Sequence, residues 1–357
     1  MRSAAFIVPA PLDAITGGSI YDRRIIEGLR ARGWKIDVID VDGTFPSPSA
    51  ASLTAVEQAI ARIAFDGTAV VDGLVFGAMP EIAERHRHRI HFIPLVHLPL
   101  ALEVGIDEGE ARRLALSERR ALAAADGVIV TGASIVEAIE QYGVARGRIF
   151  LVEPGCDRAA LVQATSTGRK SVALLCVANV TPGKGYEQLI HALAGLQDLD
   201  WTLTIVGDVA RHPMTVERVK QLIADPGLQD RVWVAGALTG ENLKAAYANA
   251  EVFVLATLRE SYGMAVAEAL GYGLPVVSTT TGEIPKLVGN DGGVLCAPGD
   301  VDGFRRALAR VIGDAGLRSK LRAGAIAAQS RLRSWDEAVE DFQAYLLALS
   351  SPRPVGR

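Results

Sequence analysis

Val252-Phe253-Val254-Leu255 is a four-residue apolar run, and Thr257-Leu258-Arg259-Glu260-Ser261-Tyr262-Gly263 after it breaks the pattern. Met264-Ala265-Val266-Ala267-Glu268-Ala269-Leu270-Gly271 then favours a helix, and Tyr272-Gly273-Leu274 leads to a second apolar run, Pro275-Val276-Val277-Ser278. Short apolar runs joined through a helical stretch describe strand, helix and parallel strand, because parallel strands are buried on both faces and need a crossover.

The same rhythm extends outward in both directions. Apolar runs that read as strands are Ala4–Val8, Lys35–Val41, Val70–Phe76, His91–Val96, Val128–Thr131 and Ile149–Val152. Beyond them come Val172–Val177, Thr202–Val206, Val232–Val234, Val252–Leu255, Pro275–Ser278 and Gly293–Cys296. Helical patterns lie between most of them, such as Ile20–Ala31, Gly109–Ala124, Tyr186–Leu196, Thr215–Ala224, Leu243–Ala250 and Asp302–Ile312. The fold class is therefore α/β, with two doubly wound parallel sheets of Rossmann type.

A chain of 357 residues exceeds one comfortable core. The expected domains are residues 1–160 and 168–333, and a last helix within 334–350, centred on Trp335–Leu347, crosses back onto the first. The break is expected near Asp157–Ser171, where Thr165-Ser166-Thr167-Gly168 is small and polar. Ligands of open parallel sheets bind beyond the carboxyl ends of the strands, so the segments just after each strand carry the search for chemistry.

Composition excludes several classes. A net charge of −4 gives no global field for nucleic acid. Cys156, Cys176 and Cys296 are odd in number and widely spaced, so they read as small buried hydrophobes in a reducing compartment. The N-terminus reads as a first strand rather than a signal peptide, and no stretch has the roughly 20 apolar residues that span a bilayer. The expected location is cytoplasmic or, at most, peripheral at the inner membrane surface. Arg85-His86-Arg87-His88-Arg89 reads as a solvated helix end, with a lipid-facing patch as the minority reading.

Four segments invite chemistry. Gly17-Gly18 opens a helix after the first strand, where backbone N–H groups suit an anion; a plain turn is the simple alternative. Pro182-Gly183-Lys184-Gly185 holds a lysine in a glycine loop, able to meet a phosphate or merely solvent. Val206-Gly207-Asp208 ends another strand. Glu260, just before or at a helix start, and Glu268, eight residues later, would face one side roughly 12 Å apart, suiting two parts of an elongated ligand rather than acid–base work on one bond. Backbone N–H groups of Tyr262, Gly263 and Met264 would meet a diphosphate between them. The alternative is a capped helix with one surface glutamate.

Taken in order, these segments resemble glycosyltransferase family 4, the group 1 glycosyltransferases of the GT-B fold. Arg231-Val232-Trp233-Val234-Ala235-Gly236, Gly271-Tyr272-Gly273-Leu274-Pro275, Gly282-Glu283-Ile284-Pro285 and Pro298-Gly299-Asp300 match as well. The likeness is dense over 178–300 and thinner before it. It implies a retaining transferase that needs no metal, and two domains facing a cleft. No cofactor is implied: the partners are a nucleoside-diphosphate sugar as donor substrate and an unidentified saccharide, lipid or small-molecule acceptor. By the resemblance Glu260 contacts the donor sugar, Glu268 the ribose, Lys184 the diphosphate, and Gly236-Ala237-Leu238 the base, while Gly17 and Gly18 close over the diphosphate. His97, leaving a first-domain strand, falls near the sugar; a histidine satisfied by backbone is its alternative. The acceptor pocket is expected around 11–21, 76–80 and 97–105.

One position departs from the family pattern. Asn179 stands where an arginine is usual five residues before the loop lysine, so a hydrogen-bond donor replaces a charged one. Arg211 could supply the missing charge. No His, Cys or carboxylate cluster is read as a metal site at ligand spacing along the chain. A nucleotide-sugar epimerase or hydrolase, or a non-catalytic sugar-nucleotide-binding protein, shares the same donor features.

Overall fold

The structure, a computed structural model, describes residues 2–157 and 171–349. The first stretch lays down β1 (Ser3–Pro9), α1 (Gly17–Ala31), β2 (Lys35–Val41), α2 (Ala50–Arg62), β3 (Gly67–Asp72) and α3 (Gly73–Phe76). There follow α4 (Pro80–His86), β4 (Ile90–Val96), α5 (Glu108–Leu122), β5 (Val128–Val130), α6 (Ala133–Gln141) and β6 (Ile149–Leu151). The second stretch gives β7 (Val172–Val177), α7 (Tyr186–Ala194), β8 (Trp201–Val206), α8 (Pro213–Ile223), β9 (Val232–Gly236), α9 (Gly240–Asn249) and β10 (Val252–Val254). It ends with α10 (Met264–Gly271), β11 (Val276–Thr279), α11 (Ile284–Val288), β12 (Gly293–Cys296), α12 (Val301–Gly313), α13 (Ala315–Gln329) and α14 (Trp335–Leu349).

These elements form two compact units, Met1–Gly155 with Arg333–Arg357, and Cys156–Leu332. The linker stretch Thr165–Lys170 lies outside the described residues. Each unit is built on a six-stranded, all-parallel sheet, ordered β2-β1-β3-β4-β5-β6 in the first and β12-β11-β10-β7-β8-β9 in the second. The strand order reverses between β1 and β3 in the first sheet and between β7 and β10 in the second, and the crevices of doubly wound sheets open at such reversals.

β4 is buried along its whole length, and β3 along all but its first residue, which explains why they read as unbroken apolar runs. Side-chain oxygens of Thr16, Ser49, Asp107, Asp300 and Asp314 cap the helices that follow them. α14 packs on α1 within the first unit. A Cβ at Gly28 would come within 2.4 Å of Val339 Cγ2, so only glycine admits this approach. Phe342 stacks on Phe6 with centroids 5.9 Å apart, and Trp34 donates to Gln343 Oε1 at 3.1 Å.

Three expectations need correction. The run Val70–Phe76 is not one strand: β3 stops at Asp72, whose Oδ1 accepts from Leu74 N at 2.7 Å and caps α3. An apolar run continuing through Val75 and Phe76 hides that turn. Arg89 is no solvated helix end, since its guanidinium donates to the carbonyls of Ile60 and Ile63 at the carboxyl end of α2. Finally, Cys156 and Cys176 are buried but Cys296 only partly so.

Candidate functional site

In the second unit the expected site residues gather at the carboxyl edge of the sheet. The loop after β7 makes a 3-10 turn over Pro182–Lys184 and ends in Gly185, whose φ of 66° is left-handed. A Cβ on Gly185 would stand 1.9 Å from the carbonyl oxygen of Ala256, in the loop after β10. The two loops are thus pressed together where the strand order reverses. Leu258 N donates to Gly183 O at 2.8 Å, and the buried Thr257 hydroxyl donates to the same oxygen at 3.0 Å. This clasp carries Lys184 Nζ to 2.5 Å from Glu260 Oε1, as an ion pair of partly exposed side chains. Glu260 N donates to Thr281 Oγ1 at 3.3 Å, so the loop after β11 also holds it.

Glu260 and Glu268 do not share a helix. α10 begins only at Met264, because Gly263 takes a left-handed φ of 96° as its N-cap. Glu260 lies four residues upstream in the loop, so the 12 Å spacing inferred from helical rise does not apply. Glu268 does lie on α10, and its Oε2 accepts from the buried Tyr247 hydroxyl at 2.7 Å. Tyr247 itself stacks on Tyr272 with centroids 5.0 Å apart. Tyr262 is buried just before the helix, and no side-chain hydrogen bond among the described residues caps the α10 amino end.

Asn179 Oδ1 accepts from Asp208 N at 3.0 Å, tying together the loops after β7 and β8. Arg211 is exposed, with Nε 3.6 Å from Asp208 Oδ2. Ala237 is exposed and Leu238 half-buried just beyond β9, whose last residue, Gly236, has a φ of 73°.

In the first unit Gly17 and Gly18 form the first turn of α1, and Gly18 lies against His97. A Cβ on Gly18 would come within 3.1 Å of His97 Cδ2. His97 Nε2 lies 3.0 Å from Asp22 Oδ1 and 3.7 Å from Asp72 Oδ2, so carboxylates rather than backbone satisfy it. Both aspartates are buried. Asp22 and Asp72 were missed in the sequence because 50 residues separate them; the available signals were an aspartate one helical turn after Gly18 and another closing an apolar strand. One side-chain atom from each of Asp22, Asp72 and His97 lies within 4.8 Å of the others, a grouping that no spacing along the sequence announces. Burial, then the neighbouring Asp22, pushes the Asp72 carboxyl up to about 7. For His97, burial pulls the imidazole down, but the charge and hydrogen bond of Asp22 and the charge of Asp72 outweigh it and raise it overall.

The loop that follows His97 is held by Glu118 of α5. Its Oε2 accepts from Leu100 N at 2.9 Å, while its buried Oε1 has no hydrogen-bond partner among the described residues. Burial raises this carboxyl to about 8. A carboxyl raised in the folded state holds its proton until pH 8 while the unfolded chain loses it near 4.5, so stability falls as pH rises through that window. Glu118→Gln keeps the acceptor and removes the titration. Its melting temperature relative to the unsubstituted protein should therefore climb between pH 5 and pH 9; parallel melting curves across that range would contradict the assignment.

Residues 157–328 match the family model described as glycosyl transferases group 1. The D-inositol 3-phosphate glycosyltransferase of Xylanimonas cellulosilytica is 30% identical over 270 residues, covering 69% of this chain and 64% of that protein. The chain thus spans less than two thirds of the length of this curated relative. Among solved structures, sucrose-phosphate synthase from Thermosynechococcus elongatus superposes with a TM-score of 0.81 at 21% identity, over 98% of this chain and 99% of that one. Anabaena HepE, solved in complex with UDP-glucose, gives a TM-score of 0.77 at 18% identity over 96% and 99%. These likenesses establish the two-sheet GT-B fold. Over residues 157–328, the chain is similar to the group 1 glycosyl transferases.

Proposed function

We propose that the protein is a retaining glycosyltransferase that moves a sugar from a nucleoside-diphosphate donor to a saccharide, lipid or small-molecule acceptor. The observation that carries this reading is the meeting of Lys184 and Glu260 at the strand-order reversal of the second sheet. Lys184 would give its ammonium group to the diphosphate, and the α10 amino end at Gly263 and Met264 would add backbone N–H groups. Glu260, released from Lys184, would accept from donor-sugar hydroxyls. Glu268, held by the Tyr247 hydroxyl, would bind the ribose, and the backbone of 236–238 would line the base. In complex with UDP-glucose, Anabaena HepE offers a precedent for such a donor on this fold.

In this account Lys184 and the helix end, rather than a cation, neutralise the leaving diphosphate. The departing phosphate takes the acceptor's proton on the face it leaves, which preserves the anomeric configuration. We also place the protein in the cytoplasm, where its separated cysteines stay reduced. Proton NMR of the product formed from an α-linked donor tests the stereochemistry, and an α-linked product is expected. A β-linked product, or turnover abolished by EDTA and restored by a divalent cation, refutes the corresponding part of the reading.

Arg211 is proposed to complete the phosphate clamp where Asn179 carries no charge. Arg211→Ala should weaken donor binding by about tenfold, the loss of one charge-assisted contact. Titration calorimetry giving an unchanged Kd would remove Arg211 from the site.

A further inference from the structure

We infer that Asp22 and Asp72 are positioning residues for His97: they share one proton beneath the ring and hold it as an imidazolium whose Nε2–H is fixed on Asp22. The assignment of the proton stands on the first unit's geometry. Its consequence for turnover rests on the glycosyltransferase reading.

Three elements converge on the cluster. Asp22 comes from α1, Asp72 closes β3, and His97 follows β4, the strand paired with β3. Asp72 pairs in register with Leu95, two residues before His97. The two Asp72 oxygens have separate tasks, Oδ1 accepting from Leu74 N at 2.7 Å and Oδ2 facing His97 Nε2 at 3.7 Å. Asp22 Oδ1 takes the shorter contact, 3.0 Å, a hydrogen-bond distance. The ring has little freedom to turn away. Gly18 lies against its Cδ2–Nε2 edge, and Tyr21 meets it edge-on with centroids 5.3 Å apart. Tyr21 is itself anchored by donating to Val152 O at 2.9 Å.

Two buried carboxylates this close do not both remain ionised without compensation. A shared proton on the acids and a second proton on the imidazole leave the cluster neutral, which burial favours. The groups facing the ring are Asp22 and Tyr21 from α1 and Asp72 from β3, and Arg333 and Asp341 act on Tyr21 from behind. The upward pressure on both Asp72 and His97 agrees with this distribution of protons. With Nε2–H committed to Asp22, the second N–H of the imidazolium, at Nδ1, is the donor a sugar hydroxyl or phosphate oxygen would meet.

The test reads the proton directly. Nitrogen-15 imidazole NMR, assigned with His97→Gln, should show His97 doubly protonated at pH 6.5 and titrating above it. In Asp22→Asn the midpoint should fall by at least one pH unit, and the basic limb of kcat/KM should move down with it. Thermal stabilisation by the nucleotide should stay unchanged. Asp72→Asn, which keeps the Leu74 contact and imitates the protonated acid, guards against a variant that fails to fold. Asp72 is raised, so its stabilising proton is lost as pH rises from about 4 to about 7. Asp72→Asn should thus gain melting temperature over the unsubstituted protein between pH 4 and pH 8. A neutral His97 throughout pH 5–8, an unchanged midpoint in Asp22→Asn, or one equivalent of divalent cation bound to the purified protein overturns the inference. If His97 titrates as expected and no sugar is transferred, the proton assignment survives and the glycosyltransferase reading fails.

Discussion

Lys184→Ala is expected to lower kcat/KM for the nucleotide-sugar donor by about a hundred- to a thousandfold, the usual cost of losing one preorganised group that stabilises developing charge. The leaving diphosphate gains charge as the glycosidic bond breaks, and Lys184 is the cation that the glycine loop delivers to the switch point. Folding should change far less. Both partners of the Lys184–Glu260 pair are partly exposed, and Glu260 still lies 3.3 Å from the Thr257 hydroxyl. Steady-state kinetics beside a circular dichroism melt separate the two effects. A variant that binds and turns over donor normally would show that the pair is an ordinary ion pair.

The second large effect is expected at Gly185, and here stability and activity should fall together. Its left-handed φ costs a substituted residue on the order of 1 kcal/mol or more. A Cβ would also stand 1.9 Å from the Ala256 carbonyl oxygen, so the backbone of one loop must move. Gly185→Ala should cost about 3 kcal/mol in all, roughly 6–12 °C in the melting temperature of a unit this size. Displacing Lys184 by about 1 Å would cost about a hundredfold more in turnover. A melting temperature within about 2 °C of the parent, measured by calorimetry, would contradict the fit described for these loops.

Much of the fold was legible because buried parallel strands read as apolar runs. Val172–Val177 and Gly293–Cys296 occupy the same residues as the strands observed. The run 70–76 misled because periodicity cannot register a strand that turns into a short helix without losing hydrophobicity. The capping pair Asp72-Gly73 was the local signal. At the donor site, Lys184 and Glu260 could be named from glycine spacing and resemblance. Their contact could not, since it depends on which strands are neighbours. How far Glu260 stands from the helix start was not legible, because the break at Gly263 comes from a single backbone angle. The cluster under His97 was hidden for the same reason as the Lys184 contact. Residues 22, 72 and 97 meet only after β1, β3 and β4 have been set side by side.

The claim that the second unit grips a nucleoside diphosphate through Lys184 has a direct measurement. Uridine, guanosine and adenosine diphosphates, each with a corresponding sugar, are titrated against the unsubstituted protein and Lys184→Ala while unfolding is followed calorimetrically. At a hundred times its dissociation constant, one of these ligands should stabilise the parent by about 2.7 kcal/mol and the variant far less. Equal stabilisation of both proteins, or none of either by any nucleotide, would contradict the account.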